Sequence, residues 1–358
     1  MADLVKGIKK AIEDICKEEN DNNIFIVGHD CADFDSIAAS IGLSMLFREF
    51  GKQPYIVIND SDVTLDSGVK KIKYENRFKH NIIFKEQAKP LISKLSTIVV
   101  VDANNANRIC LNDYFEKVKN VVVIDHHHED ARSIKTEYSF IDSAVSSVSE
   151  IVARLLNLLK INYSKEVASY LLSGIILDTK RYIKNTTPIT HDTAKKLMVK
   201  GADKDYINDL FLAEYSTDEK ISSLIYNGNT QLHTYEMSLF KASNISYTFN
   251  CNNLGMVYKE TEIAKAADKM LKYKIDACFV LGYTSENAVK ISARSKGHVD
   301  VGTIMTQVGG GGNKENAGAK ILGEDILDVL VELQTAVENV LKTEESTNEI
   351  VVKKITMS

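Results

Sequence analysis

Three apolar runs, each ending in acidic residues or histidine, constrain this chain more than any other feature. Phe25–Val27 lead into Gly28-His29-Asp30-Cys31-Ala32-Asp33-Phe34-Asp35, Ile98–Val101 into Asp102, and Val121–Ile124 into Asp125-His126-His127-His128. Runs rich in β-branched residues predict buried parallel strands. Open α/β sheets carry their ligands at the C-terminal edge of such strands. Side by side, these strands would converge carboxylates and imidazoles on one crevice. Carboxylates crowded in this way need strong compensating charge, so metal ions are implied.

The spacing of other segments fills in the rest. A leading amphipathic helix is predicted over 4–19, a strand over 23–28, a helix over 36–50, and strands at 54–58 and 81–84. A helix near 85–95 precedes the strands ending at Asp102 and Asp125. This alternation predicts an α/β fold: a parallel sheet with helices on both faces. From 146 to 230 the pattern turns helical, with helices over 149–159, 165–177 and 190–199, the last capped by Thr190. Strand-like pieces return at 236–242, 278–283 and 288–293, with helices near 261–272 and 325–343. A loop over 342–348 and a final strand over 350–355 close the chain. A boundary near the turn Asn227-Gly228-Asn229 divides it into domains 1–225 and 226–358, and 358 residues comfortably supply two cores.

The formal net charge of −5 argues against a protein that grips long nucleic acid. No stretch is long and apolar enough to span a bilayer. The five cysteines (Cys16, Cys31, Cys110, Cys251, Cys278) lack any framework spacing, which fits a reducing, cytoplasmic setting.

His29, Asp33 and Asp35 lie on a strand-to-helix loop that can bend around an ion. With Asp102 and His126 they form an oxygen-rich set with two imidazoles, which suits two divalent cations, Mn²⁺ or Mg²⁺, better than a soft-metal site. Two such ions about 3.5–4 Å apart would clamp a phosphoryl group and activate water for in-line attack. Farther along, Gly309-Gly310-Gly311-Gly312 lets backbone N–H groups approach an anion. Arg294, upstream, adds a guanidinium suited to phosphate.

Asp125-His126-His127 after an apolar strand resembles the signature of the DHH phosphoesterase family. His29-x-x-x-Asp33-x-Asp35, Asp102 and Asp178 fall in that family's order. Ser292-Ala293-Arg294-Ser295 and Gly309–Gly312 resemble the DHH-associated nucleotide-binding domain. Within the family, Asp178-Thr179-Lys180, Gly201-Ala202-Asp203 and Ile291–Gly297 are most similar to the catalytic portion of cyclic-di-AMP phosphodiesterases of the GdpP type. The resemblance implies an N-terminal parallel-sheet catalytic domain and a smaller α/β C-terminal domain, with catalysis in the cleft between them. It implies one metal on His29, Asp33 and Asp102 and a second on Asp35, Asp102, His126 and Asp178. Asp125 would orient the site and His127 would face the phosphate. Arg294, Gly309–Gly312 and Asn313 would contact the substrate, and His128 and Glu129 would be exposed and dispensable.

The activity so implied is metal-dependent hydrolysis of cyclic di-AMP to linear pApA, by a homodimer with a small dinucleotide as its partner and no membrane in this chain. Two alternatives stay open: a short-oligoribonucleotide exonuclease or adenosine 3′,5′-bisphosphate phosphatase, and a catalytically weak nucleotide sensor. The last is motivated by Asn313, which stands where the family pattern has histidine and cannot transfer a proton near neutral pH. Relatives of the GdpP type carry membrane and sensory segments ahead of the catalytic part, and an initiating Met1 favours a stand-alone form over an excised portion. Lys180, Arg181 and Lys184 form a cationic stretch after Asp178. They are either a solvated loop or a contact for a second phosphate.

Overall fold

Strands of almost unbroken apolar composition need cover on both faces, and that requirement organises the N-terminal unit. The computed structural model describes residues 2–17, 23–59, 65, 67–129, 131–212, 215–236, 243–250, 257–344 and 351–357. It divides into Met1–Leu212 and Ala213–Ser358. Elements of the first unit, in chain order, are α1 (Ala2–Lys17), β1 (Asn23–Val27), α2 (Phe34–Glu49), β2 (Gln53–Ile58), α3 (Ser67–Asn76), β3 (Ile82–Phe84), α4 (Lys85–Ala88), β4 (Thr97–Val101), β5 (Asn120–Asp125), β6 (Tyr138–Ile141), α5 (Val148–Leu158), α6 (Lys165–Asp178), α7 (Pro188–Val199) and α8 (Lys204–Leu210).

The six strands pair in parallel in the order β3-β2-β1-β4-β5-β6. The order reverses between β1 and β4. Their outgoing loops therefore diverge and leave a crevice at the C-terminal edge, the switch point where such sheets take ligands. One face (Ile24, Ile26, Val99, Val101, Val122, Ile124) packs against α1, α2, α5 and α6. The other (Phe25, Val27, Ile98, Val100, Val123) lies under α4, the segment Ile109–Leu111 and Ile134. The expectation of helices on both faces holds here only through one short helix. The predicted helix near 85–95 shrinks to α4 and a 3₁₀ turn, Lys89–Leu91. Pro90 fixes φ and donates no backbone hydrogen bond, and the chain is extended again by Ile92.

Helix α7 begins earlier than predicted. Thr187 is its cap, accepting from the Thr190 N–H at 3.2 Å, while the Thr190 hydroxyl accepts from the Thr187 N–H at 3.1 Å. Thr190 is thus the reciprocal partner in a capping box, and Pro188 occupies the first turn, where its missing N–H costs nothing. Helix α3 and strand β6 carry too little periodicity to be anticipated.

The second unit holds α9 (Tyr215–Tyr226), β7 (Asn229–Glu236), β8 (Ser243–Phe249), α10 (Glu260–Met270), β9 (Ala277–Thr284), β10 (Ala288–Ser295), α11 (Val301–Gln307), β11 (Gly311–Gly312), β12 (Asn316–Leu322), α12 (Ile326–Glu344) and β13 (Val351–Met357). Its sheet runs β11-β12-β10-β9-β8-β7-β13, antiparallel except where β8 meets β9. Phe279, Leu281, Val289 and Ile291 face α11 and α12. Cys278 and Val280 face α9 and α10, and this packing puts α9 in the second unit, so the division falls at 212/213, ahead of the expected 225/226. Of the predicted strand over 236–242, residues 237–242 lie outside the described residues, as do Cys251, Ile350 and residues 345–348 of the predicted loop; α12 continues to Glu344.

Helix α6 approaches α2 and α5 closely at Gly174. A Cβ there would lie 2.2 Å from Ser149 Oγ and 2.8 Å from Asp35 Oδ1. Gly174→Ala should destabilise the fold by about 1–3 kcal/mol through overpacking. Urea unfolding measures this, and an unchanged midpoint would contradict the packing described.

Candidate metal centre

Each acidic or imidazole group at the crevice is presented by a different local device. His29 leaves the end of β1. Asp33 caps α2: its Oδ1 accepts from the Asp35 and Ser36 N–H groups at 2.9 and 3.1 Å, which leaves Oδ2 directed 3.6 Å from His29 Nε2. Asp35 sits in the first turn of α2 and is wholly buried. Its two oxygens accept the first N–H groups of α5, from Val148 and Ser149, both at 2.7 Å. A helix N-terminus is a favourable site for a carboxylate, and here it fixes one supplied from over a hundred residues upstream.

Asp102 ends β4 with φ of +56°, a left-handed conformation that aspartate tolerates better than most residues. That turn places Oδ2 3.6 Å from His29 Nε2 and Oδ1 3.4 Å from His126 Nε2. Asp178, the last residue of α6, brings Oδ2 within 3.2 Å of the same His126 nitrogen. Ligand atoms of His29, Asp33 and Asp102 lie within 4.8 Å of one another, as do those of Asp35, Asp102, His126 and Asp178. Asp102 belongs to both groups. A third group joins Asp102, His126, Asp125 and His127.

Asp125 is buried at the end of β5. Its Oδ1 accepts from the His126 N–H and faces His127 Nδ1, each at 2.8 Å. A proton on Nδ1 leaves His127 Nε2 directed elsewhere, on a ring half exposed to solvent. His128 and Glu129 are exposed. Asn104, which the sequence did not single out, donates to the His127 and His128 carbonyls at 3.5 and 3.4 Å. Its only sequence signal is its place two residues after Asp102. The Asp35 anchor was equally hidden, although Ser147-x-x-Glu150 marks the α5 start it uses.

The electrostatics show what the site lacks. Burial opposes a charge on His126, but Asp102 and Asp178 outweigh it and push the imidazole up to about 12. His29, similarly buried, is raised to about 10 by Asp102 and Asp33. Burial and the nearby Asp102 charge push Asp35 up to about 6; burial and Asp35 raise Asp178 well above the usual carboxylate range. Burial also opposes the charge on Asp102, but His126 and His29 hold it below the ordinary value. Asp102 Oδ1, His126 Nε2 and Asp178 Oδ2 are all buried without a hydrogen-bond partner among the described residues. Orphaned ligand atoms converging on one space are what divalent cations would satisfy. This donor set therefore fits two such ions.

In the second unit, Arg294 on β10 donates to Asp268 Oδ1 at 2.8 Å and to its neighbour's carbonyl, Ala293 O, at 3.0 Å. Gly311 and Gly312 pair with Gly318 and Ala317, so β12 separates this glycine strand from Arg294. A Cβ on Gly310 would meet Gly318 O at 2.3 Å, so the run needs glycine for close backbone approach. Asn313 Oδ1 accepts from the Glu315 and Asn316 N–H groups at 3.0 and 2.8 Å, which folds the turn and commits that oxygen.

Comparison with known proteins fits this geometry. The DHH family, N-terminal domain, matches residues 23–175, and the DHHA1 domain matches residues 251–343. The cyclic-di-AMP phosphodiesterase GdpP of Bacillus subtilis is 31% identical over 342 residues, covering 92% of this chain and 49% of that protein. This chain thus spans about half the length of that relative. The bifunctional oligoribonuclease and PAP phosphatase NrnA of Mycoplasma genitalium is 26% identical over 86% of this chain and 92% of its own length. An exopolyphosphatase-related protein from Bacteroides fragilis shares the fold, with a TM-score of 0.74 at 20% identity, over 96% of this chain and 98% of that one. No helix among the described residues is long and apolar enough to cross a membrane.

Without metal, His29 and His126 hold protons that cation binding must displace, so affinity should rise with pH. Calorimetric titration of Mn²⁺ from pH 6 to 9 should show proton release on the order of one per ion. Affinity independent of pH would contradict the charge balance described.

Proposed function

We propose that this chain, which belongs to the DHH phosphoesterase family and carries its DHHA1 domain, hydrolyses cyclic di-AMP to linear pApA with two divalent cations, Mn²⁺ by preference. The observation that carries the metal-dependent phosphoesterase reading is the pair of ligand groups sharing Asp102. The choice of cyclic di-AMP rests on the similarity to GdpP. His29, Asp33 and Asp102 would hold one ion, and Asp35, Asp102, His126 and Asp178 the other. When bound, the ions would neutralise the phosphate and render a water nucleophilic.

The chain's own groups do the rest. Asp125 holds the His127 ring by Nδ1, so Nε2 is the atom available to a phosphate oxygen or a leaving group. Asn104 fixes the loop behind that ring. The fastened oxygens of Asp33 and Asp35 keep their carboxylates aimed without reorganisation when substrate arrives. Arg294, the Gly309–Gly312 run and Asn313 are assigned to nucleotide binding. Asn313 has only its Nδ2 donor left for that task, because its oxygen closes the turn.

The similarity to NrnA, nearly complete over that protein's length, supports a second reading: cleavage of short oligoribonucleotides or of adenosine 3′,5′-bisphosphate. A panel of cyclic and linear dinucleotides with Mn²⁺, resolved by chromatography, separates the two. pApA from cyclic di-AMP supports the first; AMP from linear dinucleotides with cyclic di-AMP untouched supports the second.

The roles of single residues separate by metal content. Asp102→Ala should lose both turnover and bound Mn²⁺ as measured by elemental analysis. His127→Ala should retain the metal while kcat falls about 10²–10³-fold, the range of general acid–base catalysis. Wild-type turnover in either variant would remove the assignment.

A further inference from the structure

Beside the ligand cluster, the segment after Asp178 has no role in the reading above. Lys180, Arg181 and Tyr182 have φ of +46°, +59° and +65°, three left-handed residues in succession with no glycine among them. Such backbone persists only where its surroundings over-determine it. Here Thr179 does so. Its carbonyl accepts from the Ile183 and Lys184 N–H groups at 2.8 and 2.9 Å, its hydroxyl accepts from Tyr182 N–H at 3.0 Å, and Arg181 N–H donates to Ile176 O at 2.8 Å. Tyr182 stacks on His191, with ring centres 5.3 Å apart. The chain therefore turns back on the end of α6 immediately after delivering Asp178.

The turn has a definite destination. The Arg181 guanidinium lies 5.4 Å from the centre of the Phe211 ring. Phe211 packs on Phe34 with ring centres 4.7 Å apart. Phe34 stands between Asp33 and Asp35. Two independent paths, through Asp178 along the chain and through Phe211 across space, thus lead from Arg181 to the ligand cluster. Arg181 and Lys180 are exposed, and among the described residues neither has an ion-pair partner. A guanidinium held over an aromatic ring keeps its N–H edges free, the form that grips phosphate.

We propose that Arg181, assisted by Lys180, holds the non-reacting phosphate of a dinucleotide at the rim of the metal centre. This deepens the dinucleotide reading above and rests on it. It makes the number of phosphates, rather than the bases alone, a determinant of which ligands are accepted.

The test is equilibrium binding to the metal-loaded full chain, with three probes: cyclic di-AMP and pApA, which carry two phosphates, and ApA, which carries one. Arg181→Gln should weaken cyclic di-AMP and pApA by about tenfold, the scale of one charge-assisted contact, and leave ApA within about twofold. Arg181→Lys should keep part of the difference, and both variants should melt as the wild type does. Loss for cyclic di-AMP and pApA with ApA spared supports the proposal, because ApA's single phosphodiester would be taken by the metal centre and leave none for Arg181; loss confined to pApA would place the contact on the terminal phosphate that hydrolysis creates and overturns it. Equal weakening of all three probes, no weakening, or a wild type that does not distinguish pApA from ApA overturns the proposal. Failure of the dinucleotide reading shows separately, as absence of turnover in the product assay with binding discrimination intact.

Discussion

The site depends on the charge balance around Asp102. One buried carboxylate faces two imidazoles through its two oxygens, and the two ligand groups that share it bring in three further carboxylates, those of Asp33, Asp35 and Asp178. In the metal-free protein the histidines supply the positive charge: His29 and His126 are both held protonated against the cost of burial. The arrangement is electrostatically coherent but leaves ligand atoms unsatisfied. Replacing protons by divalent cations satisfies those atoms and supplies the larger charge that four acidic groups call for.

Around that centre, the backbone aims the ligands. Asp33 is fixed by the first turn of its own helix and Asp35 by the first turn of another. Both use N–H groups that a helix leaves unpaired at its start. Gly174 allows α6 to lie against those helices closely enough for Asp178 to arrive on the same space. Asp33, fastened by one oxygen, presents the other at little entropic cost, and Asp35 is held through both, which favours a rigid over an adaptable site.

Most of this was legible in the sequence because two chemical patterns coincide. Apolar β-branched runs mark buried strands, and their last residues mark the edge where ligands sit, so His29, Asp102 and His126 could be placed from the sequence. Asp33 and Asp35 followed from the strand-to-helix loop that carries them, and Asp178 only from the order implied by the family resemblance. The fastening was not legible. The N–H groups of Val148 and Ser149 carry no side-chain signature, and Asn104 acts through backbone carbonyls of the loop that follows β5. Cover of the second sheet face mostly by irregular segments beside the short α4 also escaped, because such segments have no period to detect. The capping of α7 was misplaced by three residues because both Thr187 and Thr190 are good caps, and only Pro188 between them discriminates.

The anchoring of Asp35 has a consequence for how the protein matures. Its partners lie 113 and 114 residues downstream, and the remaining ligands are strewn from position 29 to position 178. Contacts so distant in sequence close late and slowly. A site whose ligands are so far apart in sequence requires the fold to be in place before all of them can meet one ion.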